Sequence, residues 1–147
     1  MHSALVRLVA DWTASDLQAR VAETAHVDLD PAEVRGVYLV GLAGGSLGAT
    51  ALAERAHLTR PTTSKLVSRL AVHGLVERFR SGRSVEVRLT AAGVGAYQAL
   101  VDAGHDMIAR ATAGWTPDEV ETFHRQLSRF VQALPHGGPE PHTADPE

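Results

Sequence analysis

The fold is decided by Leu52-Ala-Glu-Arg-Ala-His-Leu-Thr-Arg-Pro-Thr-Thr-Ser-Lys-Leu-Val-Ser-Arg-Leu-Ala-Val-His-Gly-Leu-Val76 and the run that follows it, Glu77-Arg-Phe-Arg-Ser-Gly-Arg-Ser-Val-Glu-Val-Arg-Leu89. The stretch reads as two short helices, a turn between them and a basic hairpin. Thr59 is placed to cap the second helix, because its hydroxyl accepts a hydrogen bond from a first-turn N–H that has no partner inside the helix. The helix is then expected from Arg60, with Pro61 tolerated in the first turn, where a missing N–H costs nothing. At about 100° per residue, Thr63, Leu66, Val67 and Leu70 form one stripe, while Pro61, Ser64, Lys65, Ser68 and Arg69 gather on the opposite side. One side packs and the other is free to meet a partner. His73-Gly74 supplies the stop, since glycine accepts the left-handed conformation that ends helices.

The next run alternates. Val85, Val87 and Leu89 point one way and Glu86 and Arg88 the other, the period of a half-buried strand. Ser81-Gly82, between Arg80 and Arg83, predicts a two-residue turn closing a hairpin. Arg78, Arg80 and Arg83 then lie on it or beside it. Helix, turn, helix and basic hairpin is the order of parts that lays one helix in the major groove with a strand pair beside it. The expected fold is mainly α, a winged helix-turn-helix with a two-stranded β wing and N- and C-terminal dimerisation helices.

Charge points the same way once it is resolved along the chain. The whole protein carries −3, which by itself does not suggest nucleic acid. From Glu54 to Arg88, however, eight basic residues (Arg55, Arg60, Lys65, Arg69, Arg78, Arg80, Arg83, Arg88) face three acidic ones (Glu54, Glu77, Glu86), a local +5. The remainder carries −8. An electropositive module in an acidic chain is the footprint of a protein that meets phosphate with one surface.

The 147 residues, 44% hydrophobic and 21% charged, suit one globular domain with helical extensions. No apolar run approaches the roughly 20 residues of a membrane span, and the N-terminus shows no signal-peptide pattern. A cytoplasmic location without a membrane partner is expected. With no cysteine there is no disulfide, no thiolate metal site and no thiol switch. The eight histidines are scattered, without the close ligand pairing of a zinc site, so no metal is expected; His105 and Asp106 come nearest to one. The cluster Gly41-Leu-Ala-Gly-Gly-Ser-Leu-Gly48 follows a helix and matches neither dinucleotide nor Walker patterns, so it reads as a helix-to-helix turn and no cofactor is expected. Thr62-Thr-Ser-Lys65 mimics a Ser/Thr-x-x-Lys pattern without its companion motifs, so no enzyme is expected.

Around this centre, residues 3–25 show helical spacing through Leu5, Val6, Leu8, Val9, Trp12, Leu17, Val21 and Ala22, with nothing between Trp12 and Asp16 that forces a break. Asp30 and Pro31 start a helix that runs to about Leu42 and is apolar on most sides, as buried helices are. The first helix of the motif spans Ala49 to Ala56, with Leu47 a candidate for a small extra strand against the wing. Thr90-Ala-Ala-Gly93 begins a long helix that runs to about Ala113. Thr116-Pro-Asp-Glu119 is a capping box opening a last helix to Leu134, with Val120, Phe123, Leu127, Phe130 and Val131 on one stripe. Residues 135–147, rich in proline and glycine, are expected to be disordered. The apolar stripes of the first and last helices need a partner, and a second copy is the economical one. Leu5, Val9, Phe123, Leu127 and Phe130 are assigned to that interface. The expected division is a helical dimerisation region over 1–30 and 90–134 around a DNA-binding lobe over 31–89.

From Leu5 to Leu134 the order of parts resembles the MarR family of bacterial transcription regulators. The matching residues are Leu52-Ala-Glu-Arg-Ala56, Leu58-Thr-Arg-Pro-Thr-Thr-Ser-Lys-Leu-Val-Ser-Arg-Leu70, Gly74-Leu-Val-Glu-Arg78, Val87-Arg-Leu-Thr-Ala-Ala-Gly93 and Trp115-Thr-Pro-Asp-Glu119. The resemblance implies a homodimer bound to a palindromic operator in double-stranded DNA, usually repressing and released by a small-molecule effector. Carried over by position, the recognition helix is Arg60 to Val72, with Pro61, Thr62, Ser64 and Lys65 near base edges, Arg69 against the phosphate backbone and Arg83 in the minor groove. Thr59, Arg60, Ser68, Arg78, Arg80 and Arg88 complete the expected DNA-contacting set. Trp12 and Tyr38, with His105, are the candidates to line an effector pocket. The wing is shorter than the family usually shows, and Ser81 stands where an aspartate commonly braces the wing arginine. The rival readings are a winged helix used for protein contact and a non-specific architectural DNA binder.

Overall fold

The computed structural model describes residues 2–134 except Ala14, Ala25 and Arg83; the side chains of Val9, residues 11–18 and Ser81 are among those outside the description. Ten elements follow in order: α1 (His2–Thr13), α2 (Ser15–Thr24), α3 (Pro31–Leu42), β1 (Ser46–Gly48), α4 (Ala49–Ala56), α5 (Arg60–Val72), β2 (Val76–Ser81), β3 (Ser84–Leu89), α6 (Ala91–Ala111) and α7 (Pro117–Ala133). They pack as two compact units, Met1–Ile108 and Ala109–Glu147.

Local sequence explains where most helices begin and end. Asp30 caps α3: its Oδ1 accepts from the Glu33 N–H at 2.9 Å, and Glu33 Oε2 accepts from the Asp30 N–H at 3.0 Å. This reciprocal box satisfies two donors that a helix start leaves unpaired. Thr59 caps α5 through the Thr62 N–H. Gly74, at φ +71°, closes the same helix: its own N–H reaches the Ala71 carbonyl and the Leu75 N–H reaches the Leu70 carbonyl, the paired bonds of a Schellman end. The helical stretch expected over residues 3–25 is helical on both sides of Ala14, as α1 and α2, with Ala14 itself outside the described residues.

The sheet has three strands in the order β1-β3-β2, all antiparallel. The expected two-stranded wing therefore gains the extra strand at Leu47, which lies opposite Val87. Ser81, expected in the turn with Gly82, is instead the last residue of β2 and pairs with Ser84. Gly82 has φ +60°, a conformation that tight hairpin loops require and side chains resist.

The core of the first unit joins α3, α4, α5, the sheet and the first half of α6. Val37, Val40, Leu52, Leu70, Val87 and Leu100 are fully buried at its centre, each such side chain contributing roughly 1.5–3 kcal/mol. The expected inward stripe of α5, Thr63, Leu66, Val67 and Leu70, is the buried one. Thr90 ties the start of α6 to the end of α5: its hydroxyl donates to the Gly74 carbonyl at 2.6 Å and accepts from the Gly93 N–H at 3.0 Å. Gly93 lies so close to the Leu75 carbonyl that a Cβ there would overlap it.

In the second unit Thr116 caps α7 with a capping box completed by Glu119. The Glu119 carboxylate, accepting from the Thr116 backbone N–H and then its hydroxyl, is held below the ordinary value of 4.5. Trp115 meets Phe123 edge to face, centroids 5.4 Å apart. No residue of α7 is buried; Val120, Phe123, Leu127, Phe130 and Val131 are all exposed. The C-terminal tail expected to be disordered lies outside the described residues.

Candidate nucleic-acid interface

Because Thr63, Leu66, Val67 and Leu70 face inward, the helical period turns Arg60, Pro61, Ser64, Lys65, Ser68 and Arg69 out to solvent. Beside this face the hairpin rises, and a cleft of about 310 Å³ runs between them, lined by Ala49, Thr50, Arg60, Thr63, Ser64, Val67, Arg78, Ser84, Val85 and Val87. Two guanidinium groups and several hydroxyls on one concave surface suit a polyanion. Thr50 and Ala49 were not expected there; they reach it because β1 docks on β3 and carries the start of α4 with it.

The expected contact residues separate into two sets. The side chains of Arg60, Ser64, Lys65 and Arg80 take no hydrogen-bond or ion-pair partner among the described residues, so their polar heads are free for a ligand. The others are engaged inside the molecule. Arg78 Nη2 donates to the Ser64 carbonyl at 2.9 Å and to Ser68 Oγ at 2.7 Å, bracing β2 against α5. Ser68 also donates to the Ser64 carbonyl. The Thr59 and Thr62 hydroxyls bond each other at 2.8 Å. Arg88 stacks over the Phe79 ring at 4.4 Å and lies 3.9 Å from Glu86, whose other oxygen accepts from Ser46 Oγ. Arg83 lies outside the described residues.

Arg69, expected against phosphate, is the most heavily engaged in the free chain. Its guanidinium meets two carboxylates: Nη1 is 2.7 Å from Asp30 Oδ2 and Nε is 3.5 Å from Glu33 Oε1. The same Glu33 oxygen lies 3.6 Å from His73 Nε2. Glu33 is only 6% exposed, against 50% for Arg69. A charge so nearly buried needs a partner, and leaving one unpaired costs about 3–5 kcal/mol; a half-exposed pair alone contributes about 1 kcal/mol or less. Burial of Glu33 is therefore what commits Arg69. The Asp30 cap was legible in the sequence; that Glu33 completes the box was also written in Asp30-Pro-Ala-Glu33 and was missed.

The effector candidates are not brought around a described cavity. Tyr38 is half-buried with its ring edge to face with Tyr97 at 5.7 Å. His105 is exposed on α6, and the Trp12 side chain lies outside the description. A second hollow of about 210 Å³ is lined by Pro31, Ala32, Arg35, Ala56, Leu58 and Leu66. Among the described residues no three His, Asp or Glu side chains gather as a metal site. Nor is any described helix long and apolar enough to cross a membrane. Of the expected interface residues, Leu5, Phe123, Leu127 and Phe130 are exposed in the single chain, and the Val9 side chain is outside the description.

Two helices at a tight turn, an exposed polar helix face and an antiparallel hairpin beside it define a winged helix-turn-helix protein. Comparison with known proteins agrees: the model of the IclR helix-turn-helix domain matches residues 39–79, from the last turn of α3 into β2. A search of the curated proteins finds no match. Among solved structures the chain is similar to a MarR family protein from Bacillus stearothermophilus, at 23% identity over 89% of this chain and 94% of that one, TM-score 0.72. It is similar also to MepR, a transcription regulator of the Staphylococcus aureus multidrug efflux pump MepA, at 19% identity over 91% and 98% of the two chains, TM-score 0.67. A third is NadR in complex with 4-hydroxyphenylacetate, at 19% identity over 88% and 92%, TM-score 0.63. The chain has the winged-helix fold of MarR-family structures, over nearly its whole described length.

Proposed function

We propose that this protein is a DNA-binding transcription regulator acting as a homodimer, with α5 in the major groove and the β2–β3 hairpin against the flanking backbone. The observation that carries the reading is the outer face of α5, where Arg60, Ser64 and Lys65 are exposed and uncommitted beside a hairpin bearing Arg80. Lysine or arginine on such a face reads guanine, each good bidentate contact giving roughly 1–3 kcal/mol of discrimination, and phosphate contacts set the register. Two-fold pairing through residues 1–30 and 90–134 sets two recognition helices about one turn of DNA, roughly 34 Å, apart, which is why a palindromic operator belongs to the reading. The uncovered apolar stripe of α7 supports self-association, since contiguous exposed apolar faces mark interaction sites. Repression relieved by a small effector is the regulatory form favoured by likeness to NadR, solved with 4-hydroxyphenylacetate, with Trp12, Tyr38 and His105 as the candidate pocket residues.

The test is a titration of the full chain against its own upstream intergenic DNA and a scrambled duplex of equal length, across salt. The expected result is preference for the upstream DNA, footprinted half-sites about one helical turn apart, and affinity falling steeply with salt. Equal affinity for both duplexes would convert the reading to an architectural DNA binder. No binding at low salt would convert it to a winged helix used for protein contact. Adding small aromatic acids to the bound complex tests the effector part, with release as the expected outcome.

A further inference from the structure

We propose that Asp30 and Glu33 are positioning residues that hold Arg69 away from DNA phosphate and so sharpen the selectivity of the recognition helix, an inference that rests on the DNA-binding reading above. Arg69 lies one turn beyond Lys65 on the exposed side of α5, where a free guanidinium would add a sequence-independent phosphate contact. Its two carboxylate partners are unusually well fixed. In each, one oxygen completes the α3 cap and the other faces the arginine: Asp30 uses Oδ1 for the cap and Oδ2 for Arg69, and Glu33 uses Oε2 for the cap and Oε1 for Arg69. The capping bonds have already ordered both side chains, so holding the arginine costs little further entropy. A phosphate must displace both carboxylates to win Arg69, and it approaches a cluster in which two negative charges outweigh one positive.

The consequence is a matter of counting cations. Non-specific affinity follows the number of phosphates neutralised, whereas base contacts from the free face of α5 add only on the right sequence. A cation withheld from phosphate lowers binding to every duplex, and the proportion owed to base reading rises. The same clamp joins the last turn of α5 to the first turn of α3, which fixes how Arg60, Ser64 and Lys65 are presented.

Asp30→Asn/Glu33→Gln in the full chain removes both charges while the amide oxygens keep the capping acceptors. The measurement is the slope of log affinity against log salt for the upstream and scrambled duplexes, with thermal denaturation as the check on folding. The expected slope is steeper than wild type by about 0.9 per protomer bound on both duplexes, with a reduced preference for the upstream one. Arg69→Ala added to that background should return the slope to the wild-type value. Asp30→Asn alone, at a more exposed position, should move the slope the same way by a smaller step. An unchanged slope in a folded double variant would overturn the proposal, as would Arg69→Ala in the wild-type background lowering the slope by the full 0.9. A wild-type chain that binds neither duplex would overturn the DNA-binding reading itself, and this inference with it.

Discussion

Lys65 and Arg69 sit one turn apart on α5, and their neighbours give them different work. Lys65 has no internal side-chain partner and is assigned to base edges, so Lys65→Ala should weaken binding to the upstream duplex by about 1–3 kcal/mol and the scrambled one much less, with thermal stability unchanged. An equal loss on both duplexes with a flatter salt slope would mean a phosphate contact instead. Two glycines of α6 make an opposite pair. At Gly93 a Cβ meets the Leu75 carbonyl, and Gly93→Ala should destabilise by about 1–3 kcal/mol, the usual range for overpacking. At Gly95 nothing lies within 4 Å, and Gly95→Ala should stabilise by about 0.5–1 kcal/mol through helix propensity. Denaturant midpoints of the two variants, shifted in opposite directions from wild type, are the check.

At the scale of elements the caps carry the testable physics. The hydroxyl of Thr59 accepts from the Thr62 N–H at the start of α5, and Thr59→Ala should cost about 1 kcal/mol, read as a lower denaturant midpoint. The start of α7 depends on acid. Glu119 is held below its ordinary 4.5 by Thr116, so its ionised form is favoured when α7 is folded. That contribution is complete above the ordinary value and is lost as pH falls through the lower folded value. Acidification below about pH 4.5 should therefore loosen the first turn of α7, seen as a titrating Thr116 amide resonance. Glu119→Gln should abolish that titration.

For the molecule as a whole, the question is what covers α7. Its stripe of Phe123, Leu127, Phe130 and Val131 is exposed on a helix that begins with a well-made cap, so the helix is locally specified while its apolar side is unmet. The full chain should sediment as a dimer, and Leu127→Asp/Phe130→Asp should give a monomer with greatly reduced operator affinity. A wild-type monomer at micromolar concentration would remove the two-fold operator from the proposal.

Sequence by itself determined the helix-turn-helix, the hairpin, both helix starts at Thr59 and Thr116 and the stop at Gly74. Each of these depends on residues within about four positions of one another, where hydroxyls, prolines and glycines act on adjacent backbone. It also determined which side of α5 is buried, because the helical period alone assigns sides. The extension of β2 through Ser81, read as part of the turn, escaped it, since propensity there is nearly balanced. At Gly41, in the last turn of the helix expected to Leu42, the Tyr97 ring leaves no room for a Cβ, a packing constraint that only the folded chain reveals. Only the tertiary structure decided which cations are free. Arg69 and Arg78 have the same sequence signature as Lys65 and Arg80, but folding sets carboxylates from the start of α3 beside one and a carbonyl and hydroxyl of α5 beside the other. A charge is committed by its neighbours in space, and those neighbours lie far away along the chain.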